Sequence, residues 1–482
     1  MIESLRGLGY SASTALADVI DNSLAAGADE IRVQFTWAGM ESTISILDNG
    51  HGMTDSQLES ALRLGNRNPL DARSIRDLGR FGLGLKTASF SQCRCLTVAS
   101  VRDGEKSCLR WDLEALAEAD GWELLEGPRQ GSENNLQRLY SQSRGTLVLW
   151  EQLDRILGPG FGDQAFLDLI DRVERHLAVV FQRFLCRPRG RIRIFINDRP
   201  IQPIDPFLSQ YSAWSSPVDR FEDAGDEIQV QCYVLPHRDR LDPKVYDSVA
   251  GPEGWTAHQG FYVYRNERLL VAGSWLGLGR NGKRWTKDEA HRLARIRVDI
   301  PNTADARWRL DIRKSMARPP QSIRDRLTRL AEDTRTRARA VFAHRGAQSR
   351  GANSLPLVDA WAAEHSSTGV RYRINAEHPA IAAVLAGAGT QQEEIRAMLR
   401  VLEATVPVQR IWLDTAESRE TPRTAFAGEP SEDVMGVLKT LYRSLRKRRG
   451  LSAAEARDQL LRTEPFGEYL ALVSALPDDT EE

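Results

Sequence analysis

Hydrophobic positions in the first half of the chain switch between two periods. Within residues 15–28 (ALADVIDNSLAAGA), Leu16, Val19, Ile20 and Leu24 recur at three- and four-residue spacing, which predicts an amphipathic helix with these four in the core. Residues 30–37 (EIRVQFTW) alternate apolar and polar side chains and predict a strand, paired with a second, buried strand at 43–47. Helical spacing returns over 55–65, and 66–78 is a polar loop containing Pro69. Further strands are predicted at 92–101 and 106–112. A peripheral helix and loop follow at 113–135, then a closing strand at 146–150 (TLVLW). Beyond it come a helix over 166–184, strands at 191–197, 228–235, 260–270 and 295–300, and an arginine-rich helix over 322–345. A Gly/Ser/Ala-rich linker occupies 346–356. The remainder is mixed, with helices around 381–385 and 393–404 and a basic helical segment, LYRSLRKRRG, at 441–450.

Composition narrows the class. A chain of 482 residues holds two or three domains with ample core. Its net charge of −1 gives no global commitment to nucleic acid, so any DNA contact must come from local patches such as the arginines of 322–345. That stripe reads equally as a solvated helix face. No apolar run approaches the roughly 20 residues needed to span a bilayer, and no signal peptide opens the chain. Five scattered cysteines fit a reducing cytoplasm, and Cys93 and Cys95 read as two buried strand thiols rather than half a zinc site.

Three stretches carry chemistry. Asp18 and Asn22 are four apart and share a helix face, an arrangement that suits a base beside a magnesium ligand. The bland alternative makes Asp18 and Asp21 solvated charges and Asn22 a surface amide. Asp48-Asn49-Gly50 ends a buried strand in a turn. Asp48 can accept from an exocyclic amine there, and Gly50 and Gly52 clear space for a flat ring. The competing interpretation is an ordinary hairpin turn. Gly79, Gly82 and Gly84 lead into Leu85-Lys86-Thr87 and a helix start, where successive backbone N–H groups bind anions. Leu85, not Gly, precedes Lys86, so this is no Walker A loop, and the glycine order is not that of a dinucleotide fold.

Taken in order, Asp18…Asn22, Asp48-Asn49-Gly50-His51-Gly52-Met53 and Gly79-Arg80-Phe81-Gly82-Leu83-Gly84 resemble the N, G1 and G2 boxes of the GHKL ATPases. Gly145-Thr146 resembles the later strand that closes the adenine pocket in that superfamily. The resemblance implies an α+β protein. A Bergerat-type α/β sandwich ATPase domain occupies 1–187, an α/β transducer domain 188–345, and a mainly helical accessory region 357–482 follows the 346–356 linker. It implies ATP and Mg2+ as ligands. Asn22 would hold the metal, Asp48 the adenine amine with Thr146 in its network, and Gly82, Gly84 and Lys86 the phosphates. Asp18 would be the general base. Two departures stand out: Asp18 where hydrolysing members carry Glu, and Ala25 where many carry Asp. Lys314 is the counterpart expected for the transducer-loop lysine that reaches the γ-phosphate.

The wording of residues 63–98 is similar to bacterial MutL/MORC-type ATPases found beside restriction–modification and phage-defence genes. The function this implies is a slow ATPase acting as a cytoplasmic, ATP-gated clamp. It would dimerise on ATP and engage double-stranded DNA and a nuclease or other defence-system protein. The alternative is a chaperone-like ATPase that remodels protein clients without binding DNA.

Overall fold

The computed structural model describes residues 6–7, 9–63, 84–118, 124–310, 316–343, 358–366, 369–411, 432–448, 450–463, 466 and 469–478. The chain divides into a compact unit of residues 1–237 and 241–343 and a second of residues 238–240 and 344–482.

The first unit opens with helix α1 (Ala12–Ala25), started by Ser11, whose Oγ accepts the Thr14 N–H at 3.2 Å. Leu16, Val19 and Ile20 are buried as their spacing requires, whereas Leu24 is only half-buried at the helix end. Strands β1 (Glu30–Thr36), β2 (Thr43–Asp48), β3 (Cys95–Arg102), β4 (Glu105–Asp112), β5 (Leu125–Glu126), β6 (Gly145–Glu151), β7 (Arg193–Ile196) and β8 (Arg199–Pro200) form one sheet. Their order across it is β5-β4-β3-β6-β2-β1-β7-β8. All neighbours are antiparallel except β1 and β7. Helix α2 (Asp55–Leu62) carries a Thr54–Gln57 capping box. Helices α3 (Gly84–Phe90) and α4 (Asp163–Val180) pack against α1, and their apolar faces share one core with β1, β2, β3 and β6. Because β7 pairs with β1 and Ile194, Ile196 and Ile201 enter that core, the first sheet runs past the boundary expected at 187.

Cys93 and Cys95 are both buried, with Cys95 opening β3 and Cys93 just before it; burial pushes both thiols up from their ordinary range.

A second sheet holds β9 (Trp214–Ser215), β10 (Asp219–Asp223), β11 (Asp226–Val234), β12 (Gly260–Arg265), β13 (Arg268–Ser274) and, after a short ladder of β14 (Gly279–Arg280) and β15 (Lys283–Arg284), β16 (Ala294–Ile300). The stretch 260–270, expected as a strand with a turn resembling that of the transducer domain, is a hairpin. Asn266 and Glu267 turn it, both in the left-handed region at φ 47° and 67°, which matches the twist of two-residue hairpins.

Helix α5 (Gln321–Ala343) lies on β11 and β16 through Ile323, Leu327, Ala331, Thr334 and Ala338. Several of its arginines are engaged within this unit. Arg326 pairs with Asp219 at 2.5 Å, Arg335 lies over Trp275 and Trp285, and Arg337 lies over Trp214 and pairs with Asp333.

The second unit carries a two-stranded ladder, β17 (Trp361–Ser366) with β18 (Gly369–Ile374), and helices α6 (Pro379–Gly387), α7 (Gln392–Thr405), α8 (Glu432–Arg448) and α9 (Ala453–Leu461). Within the basic run, Tyr442 and Leu445 are core, while Arg446 donates to the Leu451 carbonyl at 2.9 Å. Among the described residues no helix is long and apolar enough to cross a membrane.

Candidate active site

Strand register builds the centre of the site. Asp48 is the last residue of β2, Thr146 lies opposite it on β6, and Ser100 lies opposite Thr146 on β3. Three polar residues therefore stand in one row across three adjacent strands. Above them α1 supplies Ser23. Its hydroxyl donates to Asp48 Oδ2 at 2.7 Å, while the Gly50 and Thr146 N–H groups donate to Oδ1 at 2.9 and 3.2 Å. The row continues through Ser100 Oγ, which is 3.2 Å from Thr146 Oγ1, donates to the Gly145 carbonyl and accepts the Met53 N–H at 2.8 Å. Asp48 is buried, and that burial raises its pKa; the Ser23 hydroxyl, the two N–H donors and nearby His51 oppose the shift.

The glycines have a backbone reason to be there. A Cβ on Gly52, at φ +69°, would lie 2.1 Å from the Val101 carbonyl oxygen; one on Gly145 would lie 2.2 Å from that of Asp48. Gly50 would meet Ala26 Cβ at 2.8 Å. These positions are closed by the fold itself, so clearance for a flat ring is not what requires glycine. Nor is Asp48-Asn49-Gly50 a hairpin turn. Asn49 Oδ1 accepts the Asp29 and Glu30 N–H groups, His51 N–H bonds the Ala26 carbonyl, and the chain proceeds to α2. The turn is riveted to the end of α1.

One turn back along α1, Asp18 and Asp21 are 5% and 2% exposed, so neither is the solvated charge of the bland reading. Asn22 is exposed, and its Nδ2 donates to the Asp18 carbonyl at 3.2 Å. The Tyr10 hydroxyl donates to Asp18 Oδ2 at 3.1 Å. Arg268, from β13, enters from the second sheet: its Nε donates to Asp21 Oδ1 at 2.8 Å and its Nη2 stands 4.0 Å from Asp18 Oδ1. Arg268 was not among the residues singled out in the sequence. The available signal was an arginine in an otherwise apolar strand, which needs a buried carboxylate partner, together with two aspartates on one helix.

Gly84 opens α3. Lys86, expected at the phosphates, is buried, and its Nζ donates to the Arg63 carbonyl just after α2. Gly79, Arg80, Phe81, Gly82, Leu83 and Lys314 lie outside the described residues, as does the loop 66–78.

Residues 10–146 match the family described as histidine kinase-, DNA gyrase B-, and HSP90-like ATPase. The DNA mismatch repair protein MutL of Chlamydia abortus is 27% identical over 248 residues, 42% of this chain and 42% of its own length. The ATPase morc-1 of Caenorhabditis elegans is 29% identical over 91 residues, 19% of this chain and 10% of its own length. This chain thus spans about two fifths of the MutL relative. The α+β architecture, the row on Asp48 and the matched segment agree: this chain carries a GHKL-type ATPase domain at residues 10–146, with MutL and MORC as homologues at modest identity.

Proposed function

We propose that this chain binds Mg·ATP at the Asp48 end of the first sheet, hydrolyses it slowly, and works as an ATP-gated, dimerising clamp in DNA processing or phage defence. The observation that carries the nucleotide reading is the donor count on Asp48. A carboxylate offers about four acceptor positions. Ser23, Gly50 and Thr146 fill three. A buried carboxylate with one position to spare suits the exocyclic amine of adenine.

The donor chemistry fits magnesium as well. Asn22 offers a neutral, hard carboxamide oxygen at the exposed rim, and magnesium takes few protein oxygens. When bound, the ion offsets phosphate charge. Asp18, one turn deeper, is the carboxylate for orienting a water. It is one methylene shorter than Glu, and a misplacement of about 1 Å can cost on the order of 10²-fold, which supports slow turnover.

The clamp, its DNA substrate and its defence setting rest on similarity to MutL and MORC and on the wording of residues 63–98. Light scattering with a non-hydrolysable ATP analogue, then with duplex DNA, tests them: nucleotide should double the mass, and DNA binding should be salt-dependent. For the site, Asn22→Ala should abolish magnesium-dependent ATP binding in calorimetry. Binding at full strength would overturn the assignment of this helix. One observation favours the chaperone-like alternative: α7 exposes Met398, Val401 and Leu402, at 54%, 60% and 51%. Holding of unfolded clients without DNA affinity would select it.

A further inference from the structure

We propose that Arg268 is a positioning residue for Asp18, and that the β12–β13 hairpin is the element through which the second sheet governs hydrolysis. This rests on the ATPase reading above, in which Asp18 orients the attacking water.

The geometry is that of a rigid arm. Asn266 and Glu267 close the hairpin in two residues, and Arg265 and Arg268 stand opposite each other across it. Both are 3% exposed, and each meets a carboxylate in a different place. Arg265 pairs with Asp305 at 2.5 Å and so fixes the arm to its own domain. Arg268 reaches out to Asp21 on α1, with its guanidinium 4.8 Å from the centre of the Phe181 ring. At the tip, Glu267 pairs with Arg187 at 2.7 Å, while Arg183, one turn before it, lies 3.5 Å over the Tyr264 ring on β12. The arm is thus gripped from both sides of the junction.

Asp18 sits between two such contacts. One of its oxygens accepts from Tyr10, and the other faces Arg268 at 4.0 Å, inside ion-pair range but short of a hydrogen bond. Charges buried to this degree are screened little by salt or water. Asp21 anchors Arg268, so the guanidinium cannot drift on its own. Asp21 and Asp18 share α1, so this hydrogen bond sets the gap to Asp18, and a pull from the second sheet acts on that gap by straining it through the hairpin. A small rotation of that sheet would close or open the 4.0 Å gap and change both the direction and the electrostatic surroundings of the Asp18 carboxylate.

The test uses the full chain with magnesium and ATP. Arg268→Gln combined with Asp21→Asn removes both charges while keeping shape, which avoids leaving either one buried alone. The expected result is kcat reduced at least tenfold, with KM and the Kd of a non-hydrolysable ATP analogue within threefold of wild type. Arg268→Lys retains the charge near Asp18 but loses the planar fork that anchors on Asp21; it should recover part of the lost kcat. A kcat within twofold of wild type in both variants would overturn the proposal. So would a lowered melting temperature with unchanged kcat in the folded fraction, since that is glue. If the double variant does not fold, Arg268→Lys decides by the same criterion, with unchanged kcat as the overturning result. Absence of nucleotide binding by the wild-type chain is a different failure and would remove the ATPase reading itself.

Discussion

Two regions served by the same helix handle a buried carboxylate in opposite ways. At the Ser23 end of α1, Asp48 is surrounded by neutral donors: one hydroxyl and two backbone N–H groups. At the Asp18–Asp21 turn, the partner is a guanidinium delivered from another sheet. Neutral donors do not discharge a carboxylate, so burial wins at Asp48 and raises its pKa. Such a group remains ready to accept one more hydrogen bond from a ligand. A guanidinium satisfies charge as well as geometry, and it ties its carboxylate to whatever carries the arginine. The first arrangement suits recognition and the second suits coupling.

The comparison is broken most severely at the recognition end. Asp48→Asn puts an N–H where Oδ1 or Oδ2 accepts, and so sets donor against donor. ATP affinity should fall at least about 100-fold, near 3 kcal/mol, as measured by calorimetry, while the hairpin junction stays intact. The converse change, Asp21→Asn, takes the anchoring charge from Arg268. It should cost about 3 kcal/mol of folding stability in denaturant melts, because a buried guanidinium loses its hydrogen-bonded carboxylate and keeps only Asp18 at 4.0 Å, yet leave ATP affinity within a few-fold. If each variant damaged both properties equally, the two regions would be one unit and the distinction would collapse.

Acidification sharpens the contrast with the smallest effect. The folded-state pKa of Asp48 lies above its unfolded value, so the native state holds this proton more tightly than the unfolded chain does. Its contribution to stability is therefore full below the unfolded pKa and is lost as pH rises through the raised folded value. Nucleotide affinity needs the ionised form and should move the other way, falling several-fold as pH drops through that raised pKa. Calorimetry in steps downward from neutral pH should show this decline in the wild type; Asp48→Asn should lack the share that comes from Asp48 and keep only that due to protonation of the nucleotide phosphates.

Much of the recognition end was legible in the chain. The helix and the strand pair β1–β2 announce themselves by period, and Asp48-Asn49-Gly50 sits where β2 must stop. Thr146 was named through the Gly-Thr strand alone, and register then places it opposite Asp48. Ser23 and Ser100 were not singled out. A serine on a helix or a strand carries no signal until its neighbours are known. The glycines were found for an incomplete reason: Gly52 and Gly145 are required by carbonyls of neighbouring segments, and no local pattern shows those. The arginines of α5 read in sequence equally as a DNA-facing stripe or a solvated helix face, and the fold gives Arg326, Arg335 and Arg337 partners within the unit.

By itself the sequence determined most of the helices and strands of the first unit and brought out the boxes proposed to carry the nucleotide chemistry. Both are written in spacings of a few residues, where backbone geometry alone relates one side chain to the next. Only the tertiary structure decided that Asp18 and Asp21 are buried, that Lys86 turns to the Arg63 carbonyl, and that Arg268 meets α1 across 247 positions of chain. Contacts of that separation depend on sheet order, register and the closure of a hairpin, and these are settled by how the whole core packs.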